Sequence, residues 1–167
     1  RYLTSKNIVN DYLTIRFFGA YGPYEPERKI YTRIIRTFAF EKKDVIQIRG
    51  DGTNLIDAMY VDDAIDILKR ILASPQLPCL TVDLCAENPL TISDLVYKVA
   101  SLLGCSQPKI EFLGETLEPN HFFASNATIA EMYGPFLKTS LAKGIRKLYK
   151  HLSSLSHPAN PKNFNQK

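Results

Sequence analysis

The sequence predicts an α/β protein, and three observations carry that prediction. Short runs such as "YLTIRFF" and "CLTVDLC" are rich in β-branched, aromatic and other apolar residues. Between such runs, apolar residues recur at helical spacing. Gly- and Pro-rich breaks separate the two kinds of segment. Strands that alternate with helices are the pattern of α/β architecture. At 167 residues one domain is expected, large enough to bury a substantial core.

Element by element, Tyr12–Phe18 reads as a strand that "GAYGPYEP" ends. Ile30, Ile34, Ile35 and Phe38 then predict a helix from Lys29 to about Lys42. "DVIQIRG" alternates as a short strand, "GDGTN" is a turn and "LIDAMYV" a further strand. Asp62 and Asp63 precede a helix carrying Ile65, Leu68, Ile71 and Leu72, where their carboxylates are expected to cap free N–H groups. "SPQLP" stops that helix, and "CLTVDLC" reads as a strand buried on both faces. Thr91 with Asp94 three residues on forms a capping-box start for a helix that runs to Gly104. "KIEFL" is a strand, and two helices follow near Asn126–Tyr133 and Ser140–Leu152. Residues 1–11 read as a cut end, residues 12–152 as the folded part and residues 153–167 as a disordered tail.

The net charge of +4 comes from dispersed Lys and Arg, which argues against nucleic acid as a partner. No apolar run approaches the roughly 18 residues that span a bilayer, so no membrane partner is expected. Cys79, Cys85 and Cys105 lack metal-ligand spacing and read as reduced, mostly core thiols of a cytoplasmic protein. His121, His151 and His157 lie far apart, and no metal site is expected. There is no internal repeat, and no G-x-x-G-x-x-G phosphate fingerprint.

Five stretches resemble the extended short-chain dehydrogenase/reductase family, the NAD-dependent sugar epimerases and dehydratases. "IRFFGAYGP" is similar to the family's L-R-x-x-N-x-Y-G-P, and "IRGDGTNLIDAMYVDDAIDIL" to its I-x-G-D-G-x-x-x-R-D-F-V-Y-V-D-D-x-x-x-A-L. "VDLCAENPLTISDLVYKVASLLG" resembles its strand, N-x-G and helix, and "SNATIAEMYGPFLKTSLAKGIRKLY" its A-D-x-S-K…L-x-E-G-I segment. "KIEFLGETLEPNH" falls between those two. The resemblance covers about Leu13 to Leu152 and implies the C-terminal half of such an enzyme. The expected fold is the last strands of a Rossmann-like parallel sheet plus the small α/β substrate-binding lobe. The expected partners are a nucleotide sugar or other sugar-like small molecule, the missing N-terminal half and a second copy in a homodimer. NAD or NADP is expected in the full-length protein and not for this chain alone, which is expected to be inactive.

The resemblance places Phe17 and Phe18 beside the nicotinamide; the alternative is two core aromatics. Gly19 stands where the family has an Asn that binds diphosphate, and Ile56 and Glu118 stand where it has Arg. Losing those donors removes the forks that suit phosphate oxygens. Tyr21, in the loop with Gly22 and Pro23, reads as a packing residue or a substrate contact. Arg28, Lys29 and Arg33 are candidate replacements for the lost clamp, or solvated helix residues. Tyr2 and Lys6 have the Y-x-x-x-K spacing of the catalytic pair. Only five residues separate Lys6 from Tyr12, so Lys6 is expected at the wrong edge of the sheet and no catalytic residue is assigned. The competing reading is a non-catalytic binding or scaffold protein that retained the fold; a free-standing α/β binding domain is a third. Because "YLTIRFF" and "CLTVDLC" read as apolar on both faces, self-association of the isolated chain is expected.

Overall fold

The computed structural model describes residues 11–114 and 124–156. The elements are β1 (Leu13–Phe17), β2 (Ala20–Tyr21), α1 (Ile30–Ile35) continuing into a π-helical turn (Arg36–Phe40), β3 (Val45–Arg49), β4 (Leu55–Ile56), β5 (Met59–Tyr60), α2 (Val61–Leu72), β6 (Leu80–Leu84), β7 (Leu90–Thr91), α3 (Ile92–Leu102), β8 (Lys109–Leu113), α4 (Ala127–Tyr133) and α5 (Leu141–Ser156). The class is α/β, as the alternation predicts. Three strand pairs are parallel, β1 with β6, β2 with β5 and β3 with β8, while β4 and β7 are antiparallel.

Two apolar cores result. The first lies under β1 and β6, where Val82, Leu84, Ile67, Ile71, Ile129 and Phe136 pack together. The second joins α1, α3, α5 and β3 through Ile34, Ile35, Ile46, Leu95, Val99 and Leu148. A strand points successive side chains to opposite sides. In β2 and β5 that alternation sends Ala20 and Met59 into the first core, and Tyr21 and Tyr60 into the second. A two-residue parallel ladder, Ala20↔Met59 and Tyr21↔Tyr60, is thus the seam between the cores.

Local chemistry explains the element ends. Thr91 Oγ1 accepts the Asp94 N–H at 3.0 Å and starts α3. At the other end Gly104 takes φ 80°, with Cys105 N–H donating to Ala100 O and Gly104 N–H to Ser101 O, a Schellman closure. The "GDGTN" turn sets Gly50 and Gly52 at φ near +78°, and Asp51 accepts from the Thr53 N–H and hydroxyl. α1 has no side-chain cap at Lys29; the Glu25 carboxylate reaches back instead to the Thr32 N–H and hydroxyl.

The structure departs from expectation in six places. "LIDAMYV" is broken at Asp57 and Ala58, because Asp57 turns inward to bond a neighbouring loop. The first helix widens into a π turn before Lys42, which buries Phe38 and Ala39 and stacks Phe40 on Tyr149. α2 starts at Val61 with Tyr60 as its N-cap, so Asp62 and Asp63 lie in its first turn and do not cap it. Its buried face is Asp63, Ala64, Ile67 and Ile71, leaving Ile65, Leu68 and Leu72 exposed. Finally, the β1–β6 pair is not apolar on both faces: Thr14, Arg16 and Thr81 are exposed, and Arg16 pairs with Asp83 across the strands at 2.6 Å. α5 runs to Ser156, past the expected Leu152. Tyr2, Lys6, Glu118, His121 and His157 lie outside the described residues.

Gly144, inside α5, marks the closest approach of that helix to the seam, since a Cβ there would overlap the Tyr21 hydroxyl. Glycine normally costs a helix interior about 0.5–1 kcal/mol relative to alanine. Here the sign is expected to reverse. Gly144→Ala should destabilise by about 1–3 kcal/mol through overpacking, with part recovered by Tyr21→Phe; urea unfolding checks both.

Candidate functional site

Where the seam meets the 137–141 segment and the loop after β6, the described residues enclose a cleft of about 370 Å³. Its aromatic wall is Tyr21, Tyr31 and Tyr60. Tyr21 and Tyr31 stack with centroids 4.1 Å apart, and Tyr60 meets Tyr21 edge-on at 5.6 Å. Ile56, Ala58, Asn88 and Leu90 form another side, and Lys138, Thr139 and Ser140 a third. Burial raises all three phenols above their ordinary ionisation range, Tyr21 and Tyr31 by the most. Nearby groups push the same way, Tyr60 and Asp63 on Tyr21, and Tyr21, Glu25 and Asp57 on Tyr31. These phenols are neutral hydroxyls, each a donor and an acceptor.

The loop after β6 is clamped from two directions. Asp57, 3% exposed, accepts the Asn88 N–H at 3.0 Å and the Glu87 N–H at 3.2 Å. From the opposite flank Asn126 donates to Cys85 O and accepts from Cys85 N–H, while Glu87 accepts the Asn126 N–H at 2.6 Å. Glu87 itself sits at φ 54°, a left-handed conformation that costs about 1–2 kcal/mol outside glycine. The clamps hold it there, and the result sets Ala86 and Asn88 on the cleft wall. Cys85 packs behind this loop with burial pushing its thiol up to about 11, so it is an inert core group.

The first turns of α2 carry the cleft's charges. Asp63, 4% exposed, accepts the Lys138 and Thr139 N–H groups and the Thr139 hydroxyl at 2.9–3.1 Å. Asp62 pairs with Lys147 at 2.7 Å, and Asp66 with both Arg70 (2.5 Å) and Lys138 (2.9 Å). The Lys138 and Arg70 bonds hold the Asp66 carboxyl below its usual range. The paired carboxylates therefore position the backbone that leads into α5.

Of the candidate residues, Tyr21 and Ile56 line the cleft. Gly19 lies beside Ala58, and its carbonyl accepts the Met59 N–H at 3.1 Å, holding the seam together. Arg28 and Lys29 are exposed, and Lys29 lines a separate shallow groove with Pro23 and Val61. Arg33 turns away to donate to the Gln47 carbonyl of β3. Phe17 is 51% exposed at the end of β1, and the Phe18 N–H donates to Leu84 O at 3.0 Å. Tyr31, Asp57, Tyr60, Asn88 and Asn126 went unassigned from sequence. The available signal was Asp57, a carboxylate inside an otherwise apolar run. Among the described residues no cluster of three or more His, Cys, Asp or Glu could hold a metal ion, and no helix is long and apolar enough to cross a membrane.

Residues 3–78 match the NAD dependent epimerase/dehydratase family. Over those residues the chain is similar to that family. It is 25% identical over 142 residues to a Bacillus subtilis protein described as the uncharacterized UDP-glucose epimerase YtcB, covering 84% of this chain and 44% of that one. Among solved structures, UDP-N-acetylglucosamine 4-epimerase from Methanobrevibacter ruminantium superposes with a TM-score of 0.76 at 19% identity, over 92% of this chain and 50% of that one. UDP-glucuronic acid 4-epimerase from Bacillus cereus, in complex with UDP-glucuronic acid and NAD, does so at 0.74 and 22% identity, over 92% and 49%. The fold is therefore that of the extended epimerases and dehydratases, and the chain spans about half the length of these relatives.

Two outcomes follow from this geometry. Asp57→Ala strands two N–H groups of the clamped loop and is expected to cost about 3 kcal/mol in urea unfolding. Burial raises Glu25, outweighing its Thr32 bonds. A raised carboxyl stabilises folding below its unfolded value, near 4.5, and loses that contribution as pH rises through the folded value. Glu25→Gln keeps the acceptor and is expected to be more stable than wild type at neutral pH. The gap should close as pH falls toward 4.5.

Proposed function

We propose that this chain is the C-terminal, substrate-binding portion of an NAD(P)-dependent epimerase or dehydratase acting on a nucleotide sugar or a related sugar-like molecule. The observation that carries the reading is the cleft at the seam, built from the family-like segments that carry Tyr21, Ile56, Asn88 and Thr139, in a chain about half as long as its relatives. The Bacillus cereus relative is named for UDP-glucuronic acid and holds NAD, which supports the same ligand classes here.

The residues present fit one part of NAD(P). The exposed Phe17 ring, with Phe18 beyond it, ends a parallel strand, the edge at which such folds place a ligand, and the pair would flank the nicotinamide. The cofactor, when bound, accepts and returns hydride. No Gly-rich turn for its pyrophosphate occurs in the sequence. The chain's own residues orient the sugar: Tyr21 and Tyr31 through neutral hydroxyls, Asn88 through its amide, Ser140 at the start of α5. The chain alone is proposed to be inactive, joined in the full-length protein by an N-terminal half bearing the cradle and the Tyr/Lys pair, and cytoplasmic as a homodimer.

One observation favours a second reading, a binding or scaffold protein that kept the fold. Gly19 and Ile56 replace donors that the family pattern supplies at those places. Incubating the full-length protein and the 167-residue chain separately with NAD and a panel of UDP-sugars discriminates the two. Epimerised or dehydrated product from the full-length protein alone is the expected result. Turnover by neither overturns the enzyme reading in favour of the scaffold.

A further inference from the structure

The cations that look dispersed in the sequence are gathered by α5 onto one face. The helix carries Lys143, Arg146, Lys147 and Lys150 and contains no Asp or Glu. Its formal charge of +4, with His151 neutral, equals that of the whole chain. At 3.6 residues per turn the four cations share an arc of about 100°. All four are exposed, while Ile145, Leu148 and Leu152 on the opposite face are buried in the second core. Lys147 pairs with Asp62. Lys143, Arg146 and Lys150 make no ion pair among the described residues.

Local helix energetics do not explain this face. A solvent-facing helix usually alternates the sign of its charges, and this one does not. Lys143 lies in the first turn, where the helix dipole favours an acid. The family-like pattern L-x-E-G-I has Glu at that place, and "LAKGI" has Lys.

Beside the cations a shallow groove runs between α3 and α5, lined by Tyr97, Lys98, Ser101, Leu102, Leu141 and Ala142. Tyr97 and Leu102 are 49% and 40% exposed. Arg146 lies one turn beyond Ala142, and Lys98 adds a cation on the groove wall. Asp94, in the first turn of α3, is the one acid on these two helices.

We infer that this face docks an acidic amphipathic helix of a partner protein, with apolar side chains in the groove and carboxylates along the α5 cations. Charge complementarity selects that occupant, and the length fits it. Lys143 to Lys150 spans seven residues, about 11 Å or two helical turns. Over that distance a partner helix repeats carboxylates at i, i+3, i+4 and i+7. It is about a third of the ~34 Å turn of a DNA duplex, too short to track a phosphate backbone. A concave groove receives protruding side chains, which a flat lipid surface does not present. The inference is independent of the seam cleft, with which the groove shares only Leu141.

The test is fluorescence anisotropy of the full-length protein with a labelled synthetic peptide carrying Leu at helical spacing flanked by Glu. A Kd of about 10 μM is expected, rising with salt. Replacing the peptide's Glu by Gln should weaken binding by about tenfold. Arg146→Glu with Lys150→Glu should do the same with Tm unchanged, since both side chains are exposed and unpaired. That variant should bind the Lys-for-Glu peptide, which the wild type does not. Tyr97→Ser should weaken the Glu peptide by roughly three- to tenfold. Phosphatidylcholine–phosphatidylserine vesicles or a mixed-sequence DNA duplex binding tighter than the Glu peptide would overturn the choice of partner. A wild-type dimer abolished by the double variant would assign the face to a second copy and overturn it too. Equal binding of the Glu and Gln peptides, or binding of neither, would sink the inference.

Discussion

Two residue pairs, Ala20 with Met59 and Tyr21 with Tyr60, join the halves of this molecule. Strand geometry alone forces neighbours in each pair to opposite sides, so one short ladder feeds both cores. The cleft follows from that constraint. The ladder is too short to fill the space between the cores, and the phenols it aims at the second core stop against Tyr31 and the Gly144 backbone. Everything on the cleft wall is placed relative to this seam.

The acidic start of α2 is the second organising feature. Its three carboxylates reach three different parts of the chain: Lys147 on α5, the Lys138–Thr139 backbone, and Arg70 with Lys138. The exposed pairs contribute little to stability individually. Buried Asp63 is different, since its carboxylate takes three donors and its removal would leave backbone N–H groups stranded near the cleft.

Much of the fold was legible locally. The capping Thr91, the Schellman glycine at 104 and the Asp51 turn act over a few residues, and the sequence contains all the participants. The strands "DVIQIRG" and "KIEFL" were legible for the same reason, although their pairing was not. The polar alternation of β1 was available in Thr14 and Arg16, yet the apolar and aromatic majority of "YLTIRFF" hid it. Asp62 and Asp63 look like caps because that is the cheapest local use of a carboxylate before a helix. Their partners lie 75 or more residues away, beyond the reach of any local rule.

By itself, the sequence determined the α/β alternation, the order of elements, the helix and turn ends, and the resemblance to the epimerase and dehydratase family. Those depend on propensities, capping and spacing that operate between near neighbours. Only the tertiary structure decided which tyrosines share a wall, that Asp57 breaks a strand to hold the Asn88 loop, and that Arg33 faces β3 rather than the cleft. The physical reason is that burial and charge pairing are long-range properties. A carboxylate or guanidinium takes its role from what the folded chain brings beside it, and that identity is not written in the adjacent residues.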